Sequence, residues 1–202
     1  FNRALSTDRS VRFEDFVDIL PGTTGGVMAR GEQLCVDGVQ HGTDYMVSVR
    51  AGVPAAEGPV SGEASVFQVH IGNRKPSVGF RGSTYVLPRS GASGVPVISV
   101  NVDKVKLRIL KIDERNMVPQ MKSGRIGNPL GRWDVNNITD EIGELVWQGE
   151  MDVASQANKR ITTAFAVGDV LERSGPGIYA AIAQRGEDDD TSWGLRATQW
   201  LV

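Results

Sequence analysis

The sequence predicts an all-β protein built from two tandem β-sandwich domains of the Ig or fibronectin-III type, with one or two short helical turns. Apolar residues mostly alternate with polar ones over short stretches, which is the period of a strand with one buried face. The 24 glycines and 9 prolines cluster between these stretches, as expected for turns that join many short strands. The alternation is clearest at residues 104–109, where Val105, Leu107 and Ile109 alternate with basic residues.

The first half of the chain contains strand patterns that Gly-rich or Pro-rich links at 22–26, 38–42 and 52–62 separate. In the last of these strands, Phe67, Val69 and Ile71 are expected to face the core, with Gln68 and His70 facing solvent. The predicted strands of this half are residues 13–19, 34–36, 44–50 and 65–71.

A polar segment that contains a proline, residues 73–76, follows a complete strand and is the predicted domain boundary. We therefore expect domains at residues 1–75 and 76–202, each a β-sandwich. Two short stretches of the second half, 135–142 and 167–173, are expected to form single helical turns. Its predicted strands are approximately 84–87, 95–102, 104–112, 144–153, 159–166, 177–184 and 196–202. The strand at 104–112 is expected to end in a polar turn that leads to Met117.

Composition narrows the classes of function. A hydrophobic content of 40% supports a real core. The net charge of −2 argues against nucleic acid as a partner, because no positive field is present to recruit phosphate. Apolar runs are all shorter than the roughly 20 residues that span a bilayer, so we expect no membrane insertion. Cys35 is the single cysteine, which excludes an internal disulfide. A start at Phe1, without a methionine or signal peptide, predicts a piece of a longer protein.

The sequence predicts no catalytic, cofactor-binding or metal-binding residue. His41 and His70 are the only histidines, in a turn and on a solvent-facing strand position, so an HExxH site is impossible. Neither a Walker A loop nor a GxSxG nucleophile elbow occurs. The Gly-rich residues 22–26 are expected to form a turn, and the acidic run 187–190 a solvated hairpin tip rather than a Ca²⁺ site. Cys35 is expected to act as a small, partly buried hydrophobic residue.

All four tryptophans lie in the second half of the chain. Trp147 and Trp200 fall in predicted strands and are expected to pack in or over the core. Trp133 and Trp193 fall in predicted loops and are the better candidates for an exposed contact or a contact between the two modules. The formal glycosylation sequon at Asn137 is short enough to arise by chance.

Residues 85–117 (YVLPRSGASGVPVISVNVDKVKLRILKIDERNM) resemble an N-terminal part of the bacterial α2-macroglobulins, which are large cell-envelope proteins that trap proteases. The triplet that closes this stretch begins with Glu114 here, where the family pattern has Asp. The resemblance covers nearly the whole chain. It extends to RFEDFVDILP, LCVDGVQHGTDYMVSVRAGVPAAEG and NRKPSVGF upstream, and to GNPLGRWDVNNITDEIGELVWQGEMDV, GPGIYAAIA and ATQWLV downstream.

The resemblance implies macroglobulin-type sandwiches that stack with others into a shell, and a non-enzymatic framework role without a cofactor. In that picture, a protease cuts a bait segment elsewhere in the full-length protein and is entrapped. The implied partners are neighbouring domains of the parent chain and, through the full-length protein, proteases. The implied location is the periplasm or cell envelope, with a lipoprotein anchor on the parent as one form. The family's Cys-x-x-Gln thioester motif is absent, because Gly38 stands three residues after Cys35.

A second hypothesis is an extracellular or periplasmic Ig-like module that binds a glycan or a partner protein. Exposed rings at Trp133 and Trp193 would favour it.

Overall fold

The computed structural model describes residues 1–86, 94–186 and 196–202. The chain forms two compact units, Phe1–Arg74 and Lys75–Val202. Most of the described secondary structure is β-strand, which confirms the predicted all-β class. The acidic run 187–190 and Trp193 lie outside the described residues.

The unit Phe1–Arg74 consists of a three-stranded antiparallel sheet in the order β1-β4-β5 and a two-stranded hairpin, β2-β3. A 3₁₀ turn, Phe13–Phe16, precedes the first strand. The prediction of a strand from residue 13 is therefore wrong for its first four residues, and this turn buries the Phe13 ring instead. The strands are β1 Val17–Leu20, β2 Val27–Arg30, β3 Gln33–Val36, β4 Thr43–Val49 and β5 Ser65–Ile71.

The core of this unit lies between the sheet and the hairpin. Tyr45 of β4 is buried but is not part of this core, and its hydroxyl accepts a hydrogen bond from the backbone amide of Gln40 at 2.8 Å. Val17 of β1 and Val27 of β2 belong to the core. The remaining buried members of this core come from loops and the 3₁₀ turn, namely Leu5, Phe13 and Val53. The core is small because few side chains of the sheet are fully covered.

The predicted burial of β5 is wrong. Phe67 and Val69 are opposite Val47 and Tyr45 of β4 and so share the inner face of the sheet. Nevertheless, Phe67 is 52% and Val69 is 39% exposed. These side chains are exposed because β5 lies at the edge of the sheet. Within β5, burial is limited to Ile71 at its end, which is half-buried.

The unit Lys75–Val202 is a sandwich of a five-stranded sheet, β10-β9-β12-β13-β7, and a three-stranded sheet, β11-β8-β6. Side chains of both sheets meet in one core, with Val97 and Phe165 from the smaller sheet and Leu107, Ile109 and Ala181 from the larger. The strands are β6 Ser77–Phe80, β7 Thr84–Tyr85, β8 Gly94–Val100, β9 Lys104–Ile112, β10 Gly143–Asp152, β11 Arg160–Ala166, β12 Tyr179–Arg185 and β13 Arg196–Leu201.

A helical layer covers the other face of the five-stranded sheet. Leu110, Ala180 and Trp200 are paired across β9, β12 and β13 and lie on the face opposite Ile109. They form a second core with residues of the helical segments, including Val135 and Ile138. The helices of this layer are α1 Glu114–Lys122 and α2 Arg132–Asn137, which continues in a π-helical turn Ile138–Ile142. A third helix, α3 Gly168–Ser174, instead contributes Leu171 to the core between the two sheets.

The helical segments only partly match the sequence predictions. The expected turns at 135–142 and 167–173 are present as α2 with its π-helical extension and as α3. The polar turn expected after β9 is instead the helix α1, which buries part of Met117 against the second core. Glu114 in the first turn of α1 favours this helix, because a negative charge there interacts well with the helix dipole.

Candidate interaction surfaces

The histidines lie on the surface of the first unit. His70 of β5 contacts the carboxylate of Asp44 across the strand pair, with 2.7 Å between Nδ1 and Oδ1. Nδ1 of His41 is 3.0 Å from the carbonyl oxygen of Gly72. His41 lies in a turn and His70 at an exposed strand position, as predicted, and both residues are exposed. Within the described residues, no three His, Cys, Asp or Glu side chains are grouped so that they could hold a metal ion.

Cys35 is half-buried in β3, opposite Met28 of β2. Gly38, three residues further on, has a φ of +74° and lies against Gly25, where a Cβ would come within 2.3 Å of the Gly25 amide nitrogen. The glycines of segment 22–26 thus allow two backbone turns to touch. A strand, β2, follows that segment, which confirms its interpretation as a turn.

Two tryptophans are structural, as predicted. Trp200 is 1% exposed, and its indole N–H donates to the carbonyl oxygen of Asn128 at 2.9 Å. Trp147 is half-buried and meets the Phe165 ring edge-on, with centroids 6.3 Å apart. The Trp147 ring also covers Gly149, where a Cβ would lie 2.5 Å from it.

Trp133 is exposed, as predicted, but it lies at the start of α2 rather than in a loop. Its ring is 64% exposed, and the Arg125 guanidinium carbon is 4.9 Å from its centroid. Asp134 lies 3.8 Å from the same guanidinium group. Tryptophan and arginine are the residue types most enriched at binding hot spots. The pair therefore forms a candidate contact surface on the second unit.

Tyr179 and Lys111 of the larger sheet contact the backbone at the C-terminal end of α3. Burial raises the pKa of Tyr179, whose hydroxyl donates to the Gly175 carbonyl just after α3. The Lys111 ammonium donates to the Ser174 carbonyl at the C-terminal end of α3, where the helix dipole favours a positive charge. Together these two contacts tie α3 to the larger sheet.

The first unit contains an open apolar cleft of about 770 Å³ between the hairpin and the inner face of β1, β4 and β5. Sequence analysis did not predict it, because β5 was expected to be covered. A sequence signal was nevertheless present, since the adjacent positions Val66 and Phe67 are both apolar and break strict alternation. The apolar side chains that line the cleft are Val17, Leu34, Val36, Val47, Val49 and Phe67.

These features define an all-β protein of the sandwich class. The sequence profile of the "Bacterial alpha-2 macroglobulin MG2 domain" matches residues 79–193, more than half of the chain. The chain belongs to the bacterial alpha-2-macroglobulin family.

Curated relatives extend the match. The chain is 27% identical over 144 residues to the alpha-2-macroglobulin of Xylella fastidiosa (strain 9a5c), which covers 68% of this chain and 9% of that protein. It is 25% identical over 108 residues to the alpha-2-macroglobulin of Escherichia coli (strain K12), which covers 54% of this chain and 6% of that protein. The chain thus matches less than a tenth of the length of these relatives.

Solved structures agree on the fold. Salmonella alpha-2-macroglobulin reacted with methylamine superposes with a TM-score of 0.67 at 18% identity, over 98% of this chain and 12% of that one. Native E. coli alpha-2-macroglobulin spanning domains MG0-NIE-MG1 gives a TM-score of 0.51 at 17% identity, over 98% of this chain and 64% of that one. In the described part of the chain, every helix is too short or too polar to cross a bilayer.

Proposed function

We propose that this chain is a non-catalytic framework segment of a bacterial α2-macroglobulin-like, broad-spectrum protease inhibitor. Residues 1–75 and 76–202 would be two macroglobulin-type domains of a longer protein in the periplasm or cell envelope. The full-length protein would entrap proteases, while this segment contacts neighbouring domains and binds neither nucleic acid nor membrane. The observation that carries the proposal is the family match over residues 79–193.

Packing in the second unit supports a framework role. The five-stranded sheet is buried on both faces, with Leu107 and Ile109 at 0% exposure on one face and Ile182 at 0% on the other. Tightly packed interiors deform little and transmit force, which suits a part that must hold other domains in place. The exposed Trp133–Arg125 pair supplies a surface of the kind that domain contacts use.

Protease-protection assays test the proposal. The 202-residue chain alone should leave digestion of a large protein substrate unchanged, because it would lack the bait and the rest of the shell. The full-length protein should protect the large substrate from the same protease yet leave a small chromogenic peptide accessible, since a cage excludes only large molecules. Dose-dependent protection by the short chain, or failure of the full-length protein, would contradict the proposal.

A matched pair of variants in the full-length protein links the activity to this segment. Leu107→Asp places a charge in the sandwich core and should abolish protection. Gln148→Asp places the same residue on the exposed face of the neighbouring strand and should leave protection intact. Equal effects of the two substitutions would argue against a framework role for this sheet.

A further inference from the structure

We propose that the cleft of the first unit, together with the free edge of β5, binds an extended peptide segment that has apolar side chains at alternate positions and carries a lysine or arginine. This interaction goes beyond the framework role and does not depend on protease entrapment.

The free edge of β5 supplies the backbone part of the site. Among the described residues, β5 pairs with β4 on one side only. The N–H and C=O groups of its other edge are available to an incoming strand, which is the basis of peptide recognition by strand addition. Soluble proteins usually protect such edges with charges, prolines or bulges. The sequence of β5, SVFQVHI, contains none of the usual charged lysines and no proline.

The cleft supplies the side-chain part. Phe67 of β5 is 52% exposed and lines the cleft together with Val47 and Val49 of β4. Successive side chains of an added strand point to opposite faces of the sheet, so every second side chain would enter this cleft. A volume of about 770 Å³ is within the range of sites that bury most of a small ligand. It therefore has room for apolar side chains of a bound segment.

The charged side chains of the cleft indicate which charge the bound segment carries. The charged side chains in the cleft lining are those of Glu32 and Glu63, both exposed. Within the described residues, no ion pair involves either carboxylate. A lysine or arginine of the bound segment would complement the two carboxylates and favour its association.

A display selection tests the inference on the intact 202-residue chain. The probes are random seven-residue peptides, the length of β5, held between inert flanks. Enriched peptides should alternate apolar and polar residues and carry at least one Lys or Arg. A synthetic, fluorescently labelled copy of the enriched peptide then gives the dissociation constant by polarisation. Absence of enrichment, or enrichment of acidic peptides, would overturn the proposal.

Adjacent residues of β5 supply a matched control. Phe67→Ser should weaken binding of the labelled peptide by about tenfold, because it removes the aromatic side chain that β5 contributes to the cleft lining. Val66→Ser alters an apolar residue on the opposite face that is exposed to 64%, against 52% for Phe67, and should leave affinity unchanged. Both positions are more than half exposed, so neither change should unfold the unit. Equal loss in both variants would refute the cleft as the site.

Two further measurements separate this occupant from others. The double variant Glu32→Gln, Glu63→Gln should weaken binding several-fold and reduce its salt dependence. N-methylation of every second peptide amide can be placed on the odd or on the even residues. One of these two patterns should abolish binding, because strand addition requires hydrogen bonds from the amides that point toward β5. Unchanged binding after either test would contradict the proposed mode. A concentration-dependent dimer that Phe67→Ser dissociates and the peptide does not displace would instead assign the surface to a second copy of the chain.

Discussion

Truncation of Trp200 should strongly destabilise the second unit. This side chain is 1% exposed and packs between the five-stranded sheet and the helical layer, and it donates a hydrogen bond to Asn128. Trp→Ala at a buried site costs about 3–5 kcal/mol through lost burial and the cavity that remains. The lost hydrogen bond is included in that range at about 1 kcal/mol. We therefore expect Trp200→Ala to lower the free energy of unfolding by about 4 kcal/mol.

Urea titration followed by tryptophan fluorescence measures this loss in the second unit alone, because all four tryptophans lie in residues 133–200. With an m-value of about 2 kcal/mol/M, the urea midpoint should fall by about 2 M. Trp133→Ala is the matched control: its ring is 64% exposed, and its substitution should change stability by about 0.5 kcal/mol at most. A Trp200→Ala shift no larger than that of Trp133→Ala would refute the assignment of a second core beneath the helices.

Three other predictions use the same titration. Asn158 has a φ of +63°, and its backbone N–H donates to Asn101 Oδ1 at 2.7 Å. Asn158→Ala should lower the free energy of unfolding by about 1–2 kcal/mol. Asn158→Gly should lower it less, because glycine adopts this backbone conformation readily. Since burial raises the folded-state pKa of Tyr179, its contribution to stability is fully present below about pH 10 and lost as pH rises through the folded value, so Tyr179→Phe should lessen the alkaline loss of stability. The small core of Phe1–Arg74 should unfold first, so that circular dichroism changes at lower urea than tryptophan fluorescence; coincident transitions would contradict this.

Alternation predicted the sandwich core well. Val105, Leu107 and Ile109 are all 0% exposed, as their spacing indicates. The second face of the same strand changes character along its length, from Lys104–Arg108 to Leu110 and Ile112, because helices cover only its later part. That change is visible in the sequence and indicates a second buried face. Which segment covers it is a tertiary property that strand periodicity does not contain.

The predictions for β5 and for residues 113–117 failed for related reasons. Alternation indicates which side chains share a face of a strand, but whether that face is covered depends on a neighbouring element. For this reason, the prediction for Phe67 gave the correct face of the sheet but the wrong degree of burial. Helix α1 was missed because it is short and contains Pro119, so its local sequence resembles a turn. The exposure of Trp133 was predictable from local polarity, whereas the local sign of the cleft was limited to the adjacent apolar residues Val66 and Phe67.

The two units treat the second face of a sheet differently. In the second unit, the five-stranded sheet buries one face under the smaller sheet and the other under helices. In the first unit, β5 exposes Val66 on one face and Phe67 on the other. An apolar edge strand in water is a template for unspecific pairing, which proteins normally suppress. The proposed peptide binding gives this exposure a role, because a segment paired with β5 would cover the side chains that alternation failed to place in solvent.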